Sequence, residues 1–191
     1  MEENNNYKKF LNNPNIFDDS VIINQNLKYI FDLKKWISPD NISFTTKLLF
    51  RKSINGDSFK EFHRLCDHKG KTLVLIKGEE GFIIGGYTTV DWDTSGNWYK
   101  DDKSFLFSLT KSQIFPIKAG KDSIRGCIDN GPWFAFIGFK SYEKNNLSQG
   151  YFYYQKHPNH ECFENFNNII PNEKKNRTFN VTEVEIYQIN K

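Results

Sequence analysis

The stretch that most restricts the fold runs from Lys47 to Thr110. It reads KLLFRKSINGDSFKEFHRLCDHKGKTLVLIKGEEGFIIGGYTTVDW, then a polar tract, then KSFLFSLT. Lys47 to Arg51 is a short apolar run that stops at the turn formers Ser53-Ile54-Asn55-Gly56-Asp57, as a strand does where it gives way to a turn. Ser58 and Glu61 stand in the spacing of a capping box, in which the hydroxyl accepts from the third amide and the carboxylate reaches back. Phe59, Phe62 and Cys66 follow at i, i+3 and i+7, one apolar stripe of a helix, with Gly70 placed to end it. Thr72 to Ile76 is a run too continuous for a half-exposed strand, so both of its faces are expected to be covered. Lys77 to Gly81 reads as a hairpin loop leading into Phe82-Ile83-Ile84. Gly85 and Gly86, inside that strand, signal a bulge or a close approach of other atoms to the backbone.

The remainder fits around this frame. Residues 1–18 are rich in Asn and Lys, with Tyr7, Phe10, Leu11 and Phe17 as their large apolar side chains, and read as a loosely ordered N-terminal arm. Residues 19–191 read as a single domain. Asn24 or Asn26 can cap a helix carrying Leu27, Ile30, Phe31, Leu33, Trp36 and Ile37, which Pro39 brings to an end. Asp91 to Asp102 reads as a polar loop ordered by Trp92, Trp98 and Tyr99. Short strands are expected at 105–109, 114–117, 123–128, 133–139, 151–154 and 179–189, separated by turn signals. The expected class is α+β: two packed antiparallel β-sheets, a β-sandwich, flanked by two main helices.

Charge and cysteine usage narrow the classes of function. A net charge of +3, from 26 basic and 23 acidic residues that are interspersed, is too mild to point to nucleic acid. The basic clusters Lys8-Lys9, Lys34-Lys35 and Lys174-Lys175-Asn176-Arg177 read as solvated faces. No apolar run approaches the length that spans a bilayer, so no membrane insertion is expected. Met1-Glu2-Glu3-Asn4-Asn5-Asn6 is unlike a signal peptide, and a cytoplasmic protein is expected. Cys66, Cys127 and Cys162 are odd in number and lack close pairs, which fits reduced thiols.

Several residues invite a chemical reading. His63, Cys66 and His68 with His157, His160 and Cys162 have the donor types of a tetrahedral zinc site. Their spacing is poor for one, so neither a metal nor another cofactor is expected. Cys66 reads instead as a small hydrophobe, and His63 with Asp67 as hydrogen-bonding groups at the helix end. The glycines at 78, 81, 85 and 86 lack the Gly-Lys-Ser/Thr of a phosphate loop, and no Gly-x-Ser-x-Gly elbow exists. Glu183 and Glu185 are the carboxylates of greatest interest. They alternate with Val184 and Ile186, yet share parity with Phe179, Val181, Tyr187 and Ile189. Either the strand carries a bulge that switches faces, or its second face is also covered. A covered Glu185 needs a partner, for which Arg51 is placed, and such an acid is a low-ranking catalytic candidate beside Glu183. The aromatic content of 16% adds Trp98, Tyr99, Trp133 and Phe134 as candidate binding residues.

Taken in order, residues 48–51, 56–77 and 81–88, Trp92, and residues 104–109 resemble the signature of the TLDc domain, the module of eukaryotic oxidation-resistance proteins. The resemblance rests on Ser58, Glu61, His63, Cys66, Gly85 and Gly86 in their spacing, and on Gly131-Pro132 downstream. It extends from Ser20 to Ile37 upstream and to Phe179–Ile189 at the end. Ala135 departs from the family's usual Gly-Pro-x-Phe-Gly tract. The resemblance implies a two-sheet fold and a non-enzymatic interaction module. It implies binding to peripheral subunits of the vacuolar proton-pumping ATPase, modulation of that pump, and a part in oxidative-stress resistance. A monomer is expected, reaching vacuolar or lysosomal membranes only through a partner. The alternatives are a hydrolase-like enzyme using Glu183 and Glu185, or an adaptor for another complex.

Overall fold

Helix-forming segments in this chain are short and capped, while β-branched and aromatic residues recur at strand spacing. The computed structural model, which describes residues 16–135, 137–140, 146–152, 162–164, 169 and 178–190, follows that balance. In chain order the elements are α1 (Leu27–Ile37), β1 (Thr45–Arg51), α2 (Lys52–Asn55), α3 (Phe59–Cys66), β2 (Thr72–Gly78), β3 (Ile83–Thr88), β4 (Ser95–Lys100), β5 (Phe105–Ser108), β6 (Gln113–Pro116), β7 (Asp122–Cys127), β8 (Asn130–Trp133), β9 (Ile137–Lys140), β10 (Gln149–Phe152) and β11 (Thr178–Asn190).

The strands form two antiparallel sheets. The large one runs β6-β5-β3-β2-β11-β10-β9-β8, with β1 also paired to β11; the small one is β4-β7. The long β11 organises the large sheet. Its first residues pair with β10, its later ones with β1, and β2 lies along its other side. This is the α+β sandwich that the strand spacing predicts.

Alternation along β2 explains why both faces had to be covered. Leu73 and Leu75 join one buried cluster, with Ile30, Leu33 and Ile37 of α1, Phe105, Phe107, Tyr187 and the segment carrying Phe17, Ile22 and Ile23. Val74 and Ile76 join the other, with Phe59, Phe62 and Cys66 of α3, Ile124, Phe134, Ile137 and Phe139. One strand thus feeds two cores, and each fully buried aliphatic or aromatic side chain contributes roughly 1.5–3 kcal/mol. Phe17 is fully buried and sits edge-on to Tyr187 at 5.1 Å.

Both helix caps form. Asn26, rather than Asn24, accepts from the amides of Lys28 and Tyr29 at the start of α1, and Ser58 accepts from Glu61 N at 3.2 Å at the start of α3. Glu61 turns outward to Arg64 instead of reaching back. Helix α3 ends at Cys66, before Gly70, because Asp67 bridges to Trp92 and His68 N donates to Trp92 O.

Two sequence expectations change, and a third that was left open is decided. The tract expected as a loop at Asp91 to Asp102 contains β4, whose pairing with β7 is shifted in register at two places; that irregularity hides a strand from a search for strict alternation. The strand expected from Trp133 to Phe139 is instead the β8–β9 hairpin. It turns at Phe134 and Ala135, held by Phe134 N to Ile137 O and Ala135 N to Ser123 O, both 2.8 Å, without any of the usual turn residues. Gly85 and Gly86 lie in unshifted register with both neighbouring strands, so they mark close approach and not a bulge. A Cβ on Gly86 would meet the Phe134 ring at 2.5 Å, and one on Gly85 would strike the Val74 carbonyl oxygen and come within 2.6 Å of the Phe107 ring.

Candidate functional site

The carboxylates of β11 come first because the strand's bulge decides their faces. One extra residue sits between Val181 and Glu183 relative to β2. The slip sends Phe179 and Val181 to the cluster of Val184 and Ile186, while Tyr187 and Ile189 remain in the opposite cluster. The strand therefore both bulges and has each face covered. Glu185 is fully buried and Glu183 is 8% exposed.

Each carboxylate is taken up by the protein's own donors. Arg51 lies directly opposite Glu185 in the β1–β11 ladder, and its Nε donates to Glu185 Oε1 at 2.7 Å. The same oxygen accepts from Val21 N at 2.9 Å, and Oε2 accepts from the Ser20 hydroxyl at 2.5 Å. Arg51 also donates to the carbonyl of Asp19, and Tyr187 donates to the Asp19 carboxylate at 2.9 Å. Burial works against the Arg51 charge, yet the hydrogen bond and charge of Glu185 outweigh it and hold the guanidinium pKa above its ordinary value. Burial, with the Glu185 charge next, pushes the Tyr187 phenol up. Glu183 Oε1 accepts from Ser53 N at 3.1 Å and Val184 N at 3.0 Å, which closes the start of α2. The two glutamates thus tie the segment 19–23 and α2 to the sheet, and the carboxylate oxygens of Glu185 face donors of this chain. Ser20 and Asp19 were not singled out in the sequence. The available signal was a Ser immediately before the apolar triplet Val21-Ile22-Ile23, whose hydroxyl also accepts from Ile23 N.

Among the described residues the thiols and imidazoles do not converge. Cys66 is fully buried, and burial pushes its thiol far up; it packs as an apolar side chain in the cluster of α3. Burial also raises the Cys162 thiol. Among the described residues no group of three or more His, Cys, Asp or Glu side chains could hold a metal ion. His157 and His160 lie outside the described residues.

The aromatic candidates divide sharply. Trp133 and Phe134 are 3% and 2% exposed, which removes them from any surface that a partner could touch. Gly131 and Pro132 are buried with Trp133 in β8, and the close contact of Gly131 with Leu147, Phe139 and Phe59 explains the missing side chain there. Trp98 on β4 is 42% exposed. It stands edge-on to Trp133 at 6.3 Å, and the guanidinium of its cross-strand neighbour Arg125 lies over its ring at 5.6 Å. Tyr99 is half-buried against the α3 cluster, and its hydroxyl donates to Asp93. Asp93 also accepts from the amide and hydroxyl of Ser95. Burial opposes the Asp93 charge, but these donors prevail and hold its carboxyl below the usual range. Arg125 was missed in the sequence because cross-strand pairing with Trp98 depends on β4 being a strand. Ile128, just beyond β7, is 62% exposed.

Among the described residues no helix is long and apolar enough to cross a membrane.

Comparison with known proteins places this arrangement. A stretch of 77 residues, 39% of this chain, is 34% identical to the MTOR-associated protein MEAK7 of Gallus gallus, of which it covers 16%. The Xenopus laevis protein of the same name is 32% identical over 75 residues, 38% of this chain and 16% of that protein. The Danio rerio protein is 31% identical over 71 residues, 37% of this chain and 16% of that one. The chain thus matches only a small part of the length of these relatives. A much broader match comes from the family described as the TLDc domain, which takes in residues 16–190, from the buried Ile16 beside Phe17 to the last residue of β11; the chain belongs to the TLDc family.

Proposed function

We propose that this chain is a protein-interaction module without turnover of a substrate, and that it presents the β4–β7 sheet, centred on Trp98, to a partner protein. The observation that carries this reading is the exposure of Trp98 beneath Arg125, since Trp and Arg are the side chains that most often anchor protein interfaces. The partner class proposed is the one that the resemblance implies: peripheral subunits of the vacuolar proton-pumping ATPase, with modulation of that pump and a contribution to oxidative-stress resistance. The protein is cytoplasmic and a monomer, and it reaches vacuolar or lysosomal membranes through that partner. The hydrolase reading loses support because Glu183 and Glu185 already accept from Ser20, Val21, Arg51, Ser53 and Val184. A second reading, an adaptor on an mTOR-containing assembly, is favoured by the name of the relatives, MTOR-associated protein.

The test is co-precipitation from lysate, with and without ATP, followed by blotting for ATPase peripheral subunits and for mTOR. Recovery of ATPase subunits that falls in a folded Trp98→Ala, Tyr99→Ala double variant supports the first reading. Recovery of mTOR without the ATPase moves the conclusion to the second. Equal recovery by the double variant overturns the choice of surface.

A further inference from the structure

His63 is 8% exposed, and both ring nitrogens face oxygen acceptors. Nδ1 lies 2.9 and 3.1 Å from the two carboxylate oxygens of Asp67, one helical turn on. Nε2 lies 3.0 Å from the carbonyl oxygen of Cys127 and 3.0 Å from that of Asn130. A neutral imidazole has one N–H and one lone pair. With the proton on Nε2, the lone pair of Nδ1 faces a carboxylate. With the proton on Nδ1, the lone pair of Nε2 faces two carbonyls. Only the imidazolium, with two N–H groups, satisfies both sides.

We propose that His63 is held as the doubly protonated imidazolium and serves as a pH-sensitive latch that ties α3 to the ends of β7 and β8. Cys127 closes β7 and pairs with Ser95 of β4, so the latch bears on the same small sheet that carries Trp98. Asn130 opens β8, and Ile128 and Asp129 between them form the turn that the latch restrains. The groups facing the ring are the Asp67 carboxylate from α3, two uncharged carbonyls from β7 and β8, and the uncharged ring of Phe62 at 4.8 Å. Burial lowers the affinity of His63 for its second proton, but the hydrogen bond and charge of Asp67, with the two carbonyls, more than offset it and raise the pKa. A raised value means that the latch is fully formed below the unfolded histidine's pKa of about 6.5. It is lost as the pH climbs through the higher, folded value. This inference does not depend on which partner the module binds.

Imidazole 15N NMR on the whole chain tests it, with His63→Gln identifying the His63 signals. The expected result is two protonated nitrogens on His63 at pH 6.5 and a titration above the ordinary histidine value, which Asp67→Asn moves down. Hydrogen exchange at the amides of residues 128–131, corrected for intrinsic rates, should lose about tenfold in protection across that titration, as for one charge-assisted hydrogen bond. The same change should shift to lower pH in Asp67→Asn. A single protonated nitrogen on His63 at pH 6.5, or a titration unmoved by Asp67→Asn, overturns the proposal. So does protection that ignores the titration. Should His63→Gln fail to fold, replacing the other three histidines one at a time assigns the His63 signals by elimination, and the same outcomes apply.

Discussion

Strands β11 and β4 treat their most conspicuous side chains in opposite ways. β11 is paired along both sides and covered on both faces, and it buries a charged carboxylate at its centre. β4 pairs with β7 alone in a two-stranded sheet, and it turns a tryptophan partly into solvent. A charge inside a sheet is tolerated only when the fold supplies donors for it, so Glu185 belongs to the architecture. A large aromatic side chain left outside contributes less to the fold than it would inside, which leaves it free for recognition. Residue type alone leaves both roles open, since the sequence offers Glu185 as a partner of Arg51 or a low-ranking catalytic acid, and Trp98 as a candidate binding residue among aromatics that mostly pack in cores. Strand position decides between the two.

The largest expected effect tests the β11 side of this contrast. Glu185→Ala strands the Arg51 guanidinium without its counter-charge and leaves the Ser20 hydroxyl and Val21 amide without their acceptor. Removing one member of a buried pair costs about 3–5 kcal/mol, which a chemical-denaturation midpoint resolves easily. The double replacement Arg51→Met, Glu185→Leu should recover a large part of that loss, because no unpaired charge remains. A Glu185→Ala midpoint within about 1 kcal/mol of wild type would erase the contrast.

Next in size are the glycines of β3. Gly85→Val and Gly86→Val overfill the two cores on opposite faces of one strand, at about 1–3 kcal/mol each. Gly85→Val should cost the more of the two, because it strikes the backbone of β2 at Val74. Gly86→Val meets the Phe134 ring first, and that side chain can be shortened: Phe134→Leu in the same chain should restore part of the loss. Equal midpoints for the two single variants would show that β2 yields as readily as a side chain does.

The frame from Lys47 to Thr110 was legible because each of its signals is local. Ser58 stands three residues before Glu61, Gly85 and Gly86 interrupt an apolar run, and Leu73 to Ile76 lack any polar alternation. The capped α3 and the doubly covered β2 follow from those spacings without reference to the rest of the chain. The pairing of Arg51 with Glu185 was legible at longer range because both lie in strands whose ends could be placed. What escaped depends on contacts between distant segments. β4 was hidden because its register shifts break strict alternation, and with it went the pairing of Trp98 and Arg125. The hairpin at Phe134 and Ala135 was hidden because its turn is closed by Ser123 from another strand. The role of Ser20 was hidden because its partner lies 165 residues away. His63 was readable as a helix-end hydrogen-bonding group through Asp67 one turn on, and Asp129-Asn130-Gly131 as a turn, but no local spacing shows that this turn brings the Cys127 and Asn130 carbonyls to the far side of the ring.

The smallest stability effect is expected at Trp98, and it is the one that sharpens the comparison most. Trp98→Ala removes an edge-on contact with Trp133 and a cation-π contact with Arg125, the latter worth about 0.5–1 kcal/mol at an exposed site. The fold should therefore weaken by no more than about 1 kcal/mol, while an interface anchor of this kind loses about 2 kcal/mol of binding or more when truncated. Tyr99→Phe is the matched control on the same strand. It removes only the hydroxyl that holds Asp93, at a position already half-buried, and so should touch the local order of β4 with little effect on a partner. Thermal melts of both variants set beside their recovery of ATPase subunits separate the two roles. If Trp98→Ala unfolds the small sheet as severely as Glu185→Ala unfolds the large one, then Trp98 is core after all. In that case β4 carries no recognition surface, and the contrast between the two strands is one of degree in burial only.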